Sequence, residues 1–191
     1  MTSDFWEDLE MALSSHDIEK LFERLNEELK RDDQQGELYL VGGAVMCLVF
    51  KVRSSTKDID GFFEPAAKMR QAALRVAHQM NLDGNWLNDA VKGYLSDKGK
   101  YAPYLELSHL RVYTAKPEYL LAMKCLAMRI GEEFYDIEDV RFLLRYLNID
   151  SYQQALDVIQ HYYPLDRIPQ KTLYALEEIL EGRSNHGKIS N

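Results

Sequence analysis

The sequence is poor in the residues from which covalent and metal cross-links are built. Only two of its 191 residues are cysteine, Cys47 and Cys125, and both lie in apolar runs, VMCLVF and AMKCLAM. Two thiols cannot make a metal cluster alone, and no CxxC or HxxxH pairing supplements them. They read as buried thiols in a reducing cytoplasm. The five histidines, His16, His78, His109, His161 and His186, are scattered without zinc spacing. GxSxG and GxxxxGK[ST] are absent, as are repeats and low-complexity segments.

Long apolar runs are missing too. None approaches the roughly 18 residues that span a bilayer, and the start, MTSDFWEDLE, is acidic and lacks the apolar stretch of a secretory signal. A soluble cytoplasmic protein with no membrane partner is expected. Positive charge is scarce: 23 Lys and Arg stand against 31 Asp and Glu, a net charge of −8. Coating DNA or an anionic membrane needs a net basic surface, so bulk nucleic-acid binding is not expected.

What remains is ordinary globular material, 46% hydrophobic, long enough to bury a core without staples. Ile18, Leu21, Phe22, Leu25 and Leu29 recur at helical spacing, the polar stretch RDDQQG ends that helix, and Gly36 is the expected stop. ELYLV reads as a strand broken by Gly42-Gly43, AVMCLVF as a short buried helix, RSST as a turn and KDIDGFF as a strand. Pro65 opens a helix through Asn81, followed by a loop running into a helix around Trp86–Leu95. YLEL and LRVYTA are strands separated by Ser108-His109. From Pro117 onward helices are expected over 117–130, 134–147, 151–162 and 169–181, with breaks at Gly131, Asn148-Ile149 and Pro164. The plan is α+β: a small mixed sheet flanked by helices over 1–115, a helical lobe over 116–182 and a disordered tail over 183–191.

Two features carry chemistry. A strand that runs into Gly42-Gly43 and then a helix lets the backbone approach an anion closely, or makes only a tight turn. In Asp58-Ile59-Asp60 the two carboxylates share one face of a strand. Their repulsion is relieved by a cation between them, with Mg²⁺ bound by carboxylates and substrate phosphates the usual case; otherwise they are exposed acids on a solvated edge. Arg53 and Lys57 beside RSST suit phosphate contact or plain surface charge.

The order strand, Gly-Gly, short helix, Ser55-Thr56, Asp58-x-Asp60 resembles the nucleotidyltransferase fold of the DNA polymerase β superfamily. VGGAVMCLVF, RSSTKDID, WLNDAVKGYL, LRVYTAKPEYLLAMKCLAMR and YDIEDVRFLLRYL together are similar to small bacterial nucleotidyltransferase-like proteins related to AbiEii-type toxin nucleotidyltransferases, over residues 36 to 165. The resemblance implies an NTP held by Gly42, Gly43, Ser55 and Thr56, and two Mg²⁺ or Mn²⁺ ions held by Asp58 and Asp60, with Glu106 as a further ligand if it is the third acid. Glu106 in YLEL is the candidate for a third acid, although relatives more often use aspartate and an exposed strand glutamate is the alternative. Lys124 lies on the inward stripe of its helix, as a snorkelling side chain or, by the resemblance, as a contact to triphosphate. Asp136 and Asp139 open the next helix, favoured by its dipole or, by the resemblance, supporting the cleft with Asp136 inward. Asn88 and Asp89 cap a helix or line the acceptor side.

The function so implied is metal-dependent transfer of a nucleotide to an RNA end, a protein or a small molecule, as a toxin with an antitoxin partner in the toxin reading. The alternative is a nucleotide- or partner-binding protein on the same fold, without chemistry. Fold resemblance does not choose between them.

Overall fold

The computed structural model describes residues 12–129 and 135–186, with side chains to 182. The described chain is α+β and divides into two compact units. The first comprises residues up to Lys92 together with Ala102–Thr114; the second comprises Gly93–Tyr101 and the chain from Ala115 onward.

In the first unit, α1 (Ser15–Arg31) starts at a capping box in which Ser14 accepts from Asp17 N–H and the Asp17 carboxylate accepts from Ser14 N–H. Its apolar stripe, Ile18, Leu21, Phe22, Leu25 and Leu29, is buried as the spacing predicts. The helix ends at Arg31, within the polar stretch RDDQQG as expected but short of Gly36. Gly36 instead begins β2 (Gly36–Leu40), where a Cβ would run into Met69 Sδ and stand 2.9 Å from Leu29 Cδ1. Close packing against Met69 and Leu29, not helix termination, is what this glycine serves.

The central sheet has the order β5 (Leu87–Asn88), β4 (Ile59–Glu64), β2, β7 (Leu110–Ala115), β6 (Tyr101–Glu106). β2 is antiparallel to β4 and parallel to β7, while β5 is parallel to β4. Strand alternation divides its side chains: Leu38, Leu40, Ile59, Phe63, Leu110 and Val112 are buried on one face. The other face carries Glu37, Tyr39, Asp60, Phe62, Arg111 and Tyr113. There Tyr39 stacks on Phe62 at 4.4 Å and on Tyr113 at 4.8 Å, as its register against both strands dictates.

Behind the sheet, α3 (Ala66–Met80) packs on β4 and α1 on α3. Glu28 of α1 joins them, accepting from Arg75 and, at 2.8 Å, from Gln79. The short α2 (Gly42–Leu48) is buried from Gly43 to Leu48, as its composition requires.

Two expectations in this unit need correction. Ser55-Thr56 is not only a turn: it forms β3 (Ser55–Thr56), antiparallel to β1 (Leu13–Ser14). The expected helix near Trp86–Leu95 is instead β5 followed by a 3₁₀ turn over Ala90–Tyr94, because Leu87 and Asn88 pair with Ile59 and Asp60.

The second unit is built on α4 (Pro117–Leu126), whose residues from Tyr119 to Leu126 are all buried. α5 (Asp136–Tyr146) and α6 (Tyr152–Tyr162) pack on it, and α7 (Gln170–His186) packs on α6. Tyr119 is fully buried, accepting Ser96 N–H at 2.9 Å and meeting the Tyr101 and Tyr162 rings. Asn148, at φ 53°, follows the end of α5 as expected, and Ser151 opens α6 with a second capping box. α7 continues through His186, into the segment expected to be a disordered tail. Gly131 and residues 187–191 lie outside the described residues.

Both cysteines are buried, and burial pushes the Cys125 thiol up to about 12. Among the described residues no helix is long and apolar enough to cross a membrane.

Candidate functional site

The Gly42-Gly43 step is where β2 gives way to α2, and both glycines are required by their surroundings. Gly42 has φ +66°, a left-handed conformation that costs other residues about 1–2 kcal/mol. A Cβ on Gly42 would stand 3.0 Å from Asp60 Oδ2. One on Gly43 would stand 2.5 Å from Thr56 Oγ1 and 3.1 Å from an Arg53 guanidinium nitrogen. The glycine backbone is therefore pressed against a carboxylate on one side and a hydroxyl and a guanidinium on the other.

β4 supplies that carboxylate. Its neighbour β2 fixes the start of the strand, Val41 N–H donating to Asp60 C=O at 2.9 Å. Asp60 is half-buried and sits on the sheet face opposite buried Ile59. Asp58 precedes the strand, also half-buried, and its carbonyl accepts from Thr56 Oγ1 at 3.2 Å. Thr56 is in turn held by the pairing of β3 with β1.

β5 supplies the next piece. Asn88 stands directly across from Asp60 in the parallel register. Its amide nitrogen donates to Asp58 Oδ2 at 3.0 Å, while its amide oxygen accepts Ala90 N–H at 3.3 Å. Asp58, Asp60 and Asn88 are thus brought together. Asp89 is not part of this group. Its carboxylate pairs with Lys92 at 2.7 Å and Arg70 at 2.6 Å, and the Lys92 hydrogen bond, with both charges, holds it below the usual carboxylate range.

Glu106 stands elsewhere. It lies on β6, with β7 and β2 between that strand and β4. Its side chain is 81% exposed and pairs loosely, at 3.7 Å, with Arg111. It is not beside Asp58 and Asp60, and the strand beside them presents Asn88 instead. Among the described residues no three His, Cys, Asp or Glu side chains form a metal-holding group.

Lys124, Asp136 and Asp139 belong to the second unit and form one buried cluster. The Lys124 ammonium lies 2.6 Å from Asp139 Oδ2 and 3.3 Å from Asp136 Oδ1, with its own side chain only 8% exposed. It does not snorkel. Both aspartates are inward, Asp139 no less than Asp136. Asp136 also accepts from Arg129 N–H and Nε, each at 3.1 Å. Burial alone would raise its carboxyl, but the Lys124 charge and the Arg129 hydrogen bonds outweigh this and leave it low.

Reading the sequence identified the glycine turn and the Asp-x-Asp pair but not the role of β5, whose two residues show no periodicity. It also missed the ring stack Phe62–Tyr39–Tyr113, which shares the face of Asp60. Alternation in LYL, GFF and VYT was the available signal, but it does not say which strands are neighbours.

Residues 16–167 match the model of a family described as "Nucleotidyltransferase of unknown function (DUF6036)". No curated protein matches the chain, and no solved structure does.

Proposed function

The chain belongs to that nucleotidyltransferase family, and from this membership we propose a metal-dependent enzyme that moves an NMP group from an NTP to an acceptor. The observation that carries it is the close approach of the Gly42-Gly43 backbone to Asp60, Thr56 and Arg53. A bare backbone beside a carboxylate, a hydroxyl and a guanidinium suits a polyphosphate accompanied by a cation.

The donors present fit such a cation. Two half-buried carboxylates, with the Thr56 hydroxyl nearby, are hard oxygen ligands. Mg²⁺ or Mn²⁺ commonly takes one or two carboxylates and completes its shell with substrate phosphates and water. Asp58 and Asp60 would hold it, and when bound it supplies charge neutralisation at the reacting phosphate. Gly42 and Gly43 would seat the triphosphate through their backbone, with Ser55, Thr56 and Arg53 along its side. An acceptor oxygen then attacks the α-phosphorus in line. The new P–O bond forms as the bond to the β-phosphate oxygen breaks, pyrophosphate leaves with the electron pair, and the acceptor proton passes to solvent. Positioning and charge complementarity do the catalytic work. Residues of the first unit alone carry this reading.

Titrating each NTP with and without Mg²⁺ tests it. Metal-dependent binding lost in Asp58→Ala and Asp60→Ala supports the assignment; variants that bind like the parent overturn it. Labelled nucleotide transferred to RNA ends, to protein or to small hydroxyl compounds identifies the acceptor. A toxin role with an antitoxin partner predicts growth arrest on expression, relieved by Asp58→Ala.

One observation favours a second reading, a scaffold that binds nucleotide without transferring it. The strand beside Asp60 carries Asn88 where a third acid would complete the carboxylates, and Glu106 is on β6, with β2 and β7 between it and β4. Absence of transfer from all four NTPs, with binding intact, selects it.

A further inference from the structure

We infer that Asn88 is a positioning residue that holds Asp58 for a site taking a single divalent cation. The inference rests on the proposed function and defines its metal requirement. In the sheet only β5 and β2 flank β4, so a side chain that joins Asp58 and Asp60 from a neighbouring strand must come from one of them. β2 runs into Gly42 at the start of α2, where even a Cβ would stand 3.0 Å from Asp60 Oδ2. β5 brings Asn88, in register with Asp60.

The amide is fixed at both ends. Ala90 N–H donates to its oxygen at 3.3 Å, which turns its nitrogen toward Asp58 Oδ2 at 3.0 Å. A donor at that place holds the Asp58 carboxylate in one orientation without adding negative charge. An aspartate there would do the opposite: it would repel Asp58 and Asp60 and call for more cation.

The charge count points the same way. Asp58 and Asp60 bring two negative charges, which one divalent ion balances. Arg53, beside Gly43, brings a further positive charge to the same group. Among the described residues no His, Cys, Asp or Glu side chain joins the pair in a three-membered metal-holding group. A second cation would therefore have only substrate phosphates to hold it.

Mn²⁺ titration of the full chain without nucleotide, read from the electron paramagnetic resonance signal of free Mn²⁺, tests this. One equivalent is expected for the parent, and none for Asp60→Asn. Asn88→Ala should keep the stoichiometry but weaken the ion about tenfold, the usual effect of losing a group that orients a ligand. Asn88→Asp should tighten the first ion or admit a second. Thermal melts of each variant without metal confirm that the fold is kept; should Asn88→Ala unfold, Asn88→Ser and Asn88→Asp carry the comparison. Two equivalents in the parent overturn the inference, as does an Asn88→Asp variant that binds Mn²⁺ like the parent. If that parent still transfers nucleotide, the proposed function stands without it; a parent that binds neither Mn²⁺ nor NTP overturns both.

Discussion

The Lys124 ammonium is held 2.6 Å from Asp139 Oδ2, and both side chains are buried. A charge placed this way is stable only while its partners remain. Lys124→Met leaves Asp136 and Asp139 buried together without their central cation. The expected cost is about 3–5 kcal/mol, the range for breaking a buried pair, read as a lower urea midpoint at unchanged slope. Adding Asp139→Asn to that variant should recover part of the loss, since the two sites are coupled.

Acid should act on both units. Burial would raise the Glu28 carboxyl, but hydrogen bonds from Gln79 and Arg75 and the Arg31 charge bring it below its ordinary 4.5. Asp136 is likewise held below 3.8. A depressed folded value means that the unfolded chain binds the proton first, so the stabilisation is present above about 4.5 and is lost as pH falls through the lower folded values. Urea unfolding at pH 7, 5, 4 and 3 should show a plateau down to pH 5 and then a steep fall. Glu28→Gln should start lower at pH 7 and lose less on acidification.

The parts legible in the sequence are those whose determinants are local. The stripe Ile18–Leu29, the Gly-Gly step and the alternation in DIDGFF each declare an element within a few residues. Ser55-Thr56 does not, because its partner is Leu13-Ser14, some forty residues earlier in the chain. WLND suits a helix start for the same reason: only pairing with Ile59 and Asp60 makes Leu87-Asn88 a strand. Glu106 shows the limit most clearly. Its residue type and strand position suited a third acid, but strand order decides adjacency, and here the neighbour of Asp60 is Asn88. The depth of Lys124 was legible as a stripe position, whereas its two aspartate partners come from a separate helix.

Tyr39 stands in the middle of the ring stack, between Phe62 and Tyr113. Each stacked pair contributes about 0.5–1.5 kcal/mol beyond area burial. Tyr39→Leu, which removes both pairs, should therefore destabilise more than Phe62→Leu or Tyr113→Leu, each of which removes one. Its hydroxyl donates to Glu37 Oε2 at 2.7 Å. Burial first, then Glu37, pushes the phenol up to about 12. A raised folded value means the unfolded chain releases the proton first, so stability from this group holds below about pH 10 and falls as pH rises toward 12. Burial pushes other phenols up as well, Tyr104 also to about 12 and Tyr163 further, so difference absorbance should show one late-titrating phenolate fewer in Tyr39→Phe than in the parent.

The glycine pair separates fold from site. Gly43→Ala puts a methyl 2.5 Å from Thr56 Oγ1, and Thr56 cannot move freely because β3 is paired to β1. Overpacking of this kind costs about 1–3 kcal/mol. Thr56→Ala in the same background removes the offending hydroxyl and should restore much of the melting temperature. It should not restore Mg²⁺-dependent nucleotide binding, because the backbone approach is blocked and the Thr56 hydroxyl is gone. Gly42→Ala should behave differently: its strain at φ +66° costs about 1–2 kcal/mol, and its methyl displaces the Asp60 carboxylate directly. Calorimetric melting and isothermal titration on these three variants give the two readouts side by side. Recovery of stability and binding together in the Gly43→Ala, Thr56→Ala double variant would show that the glycines serve packing alone.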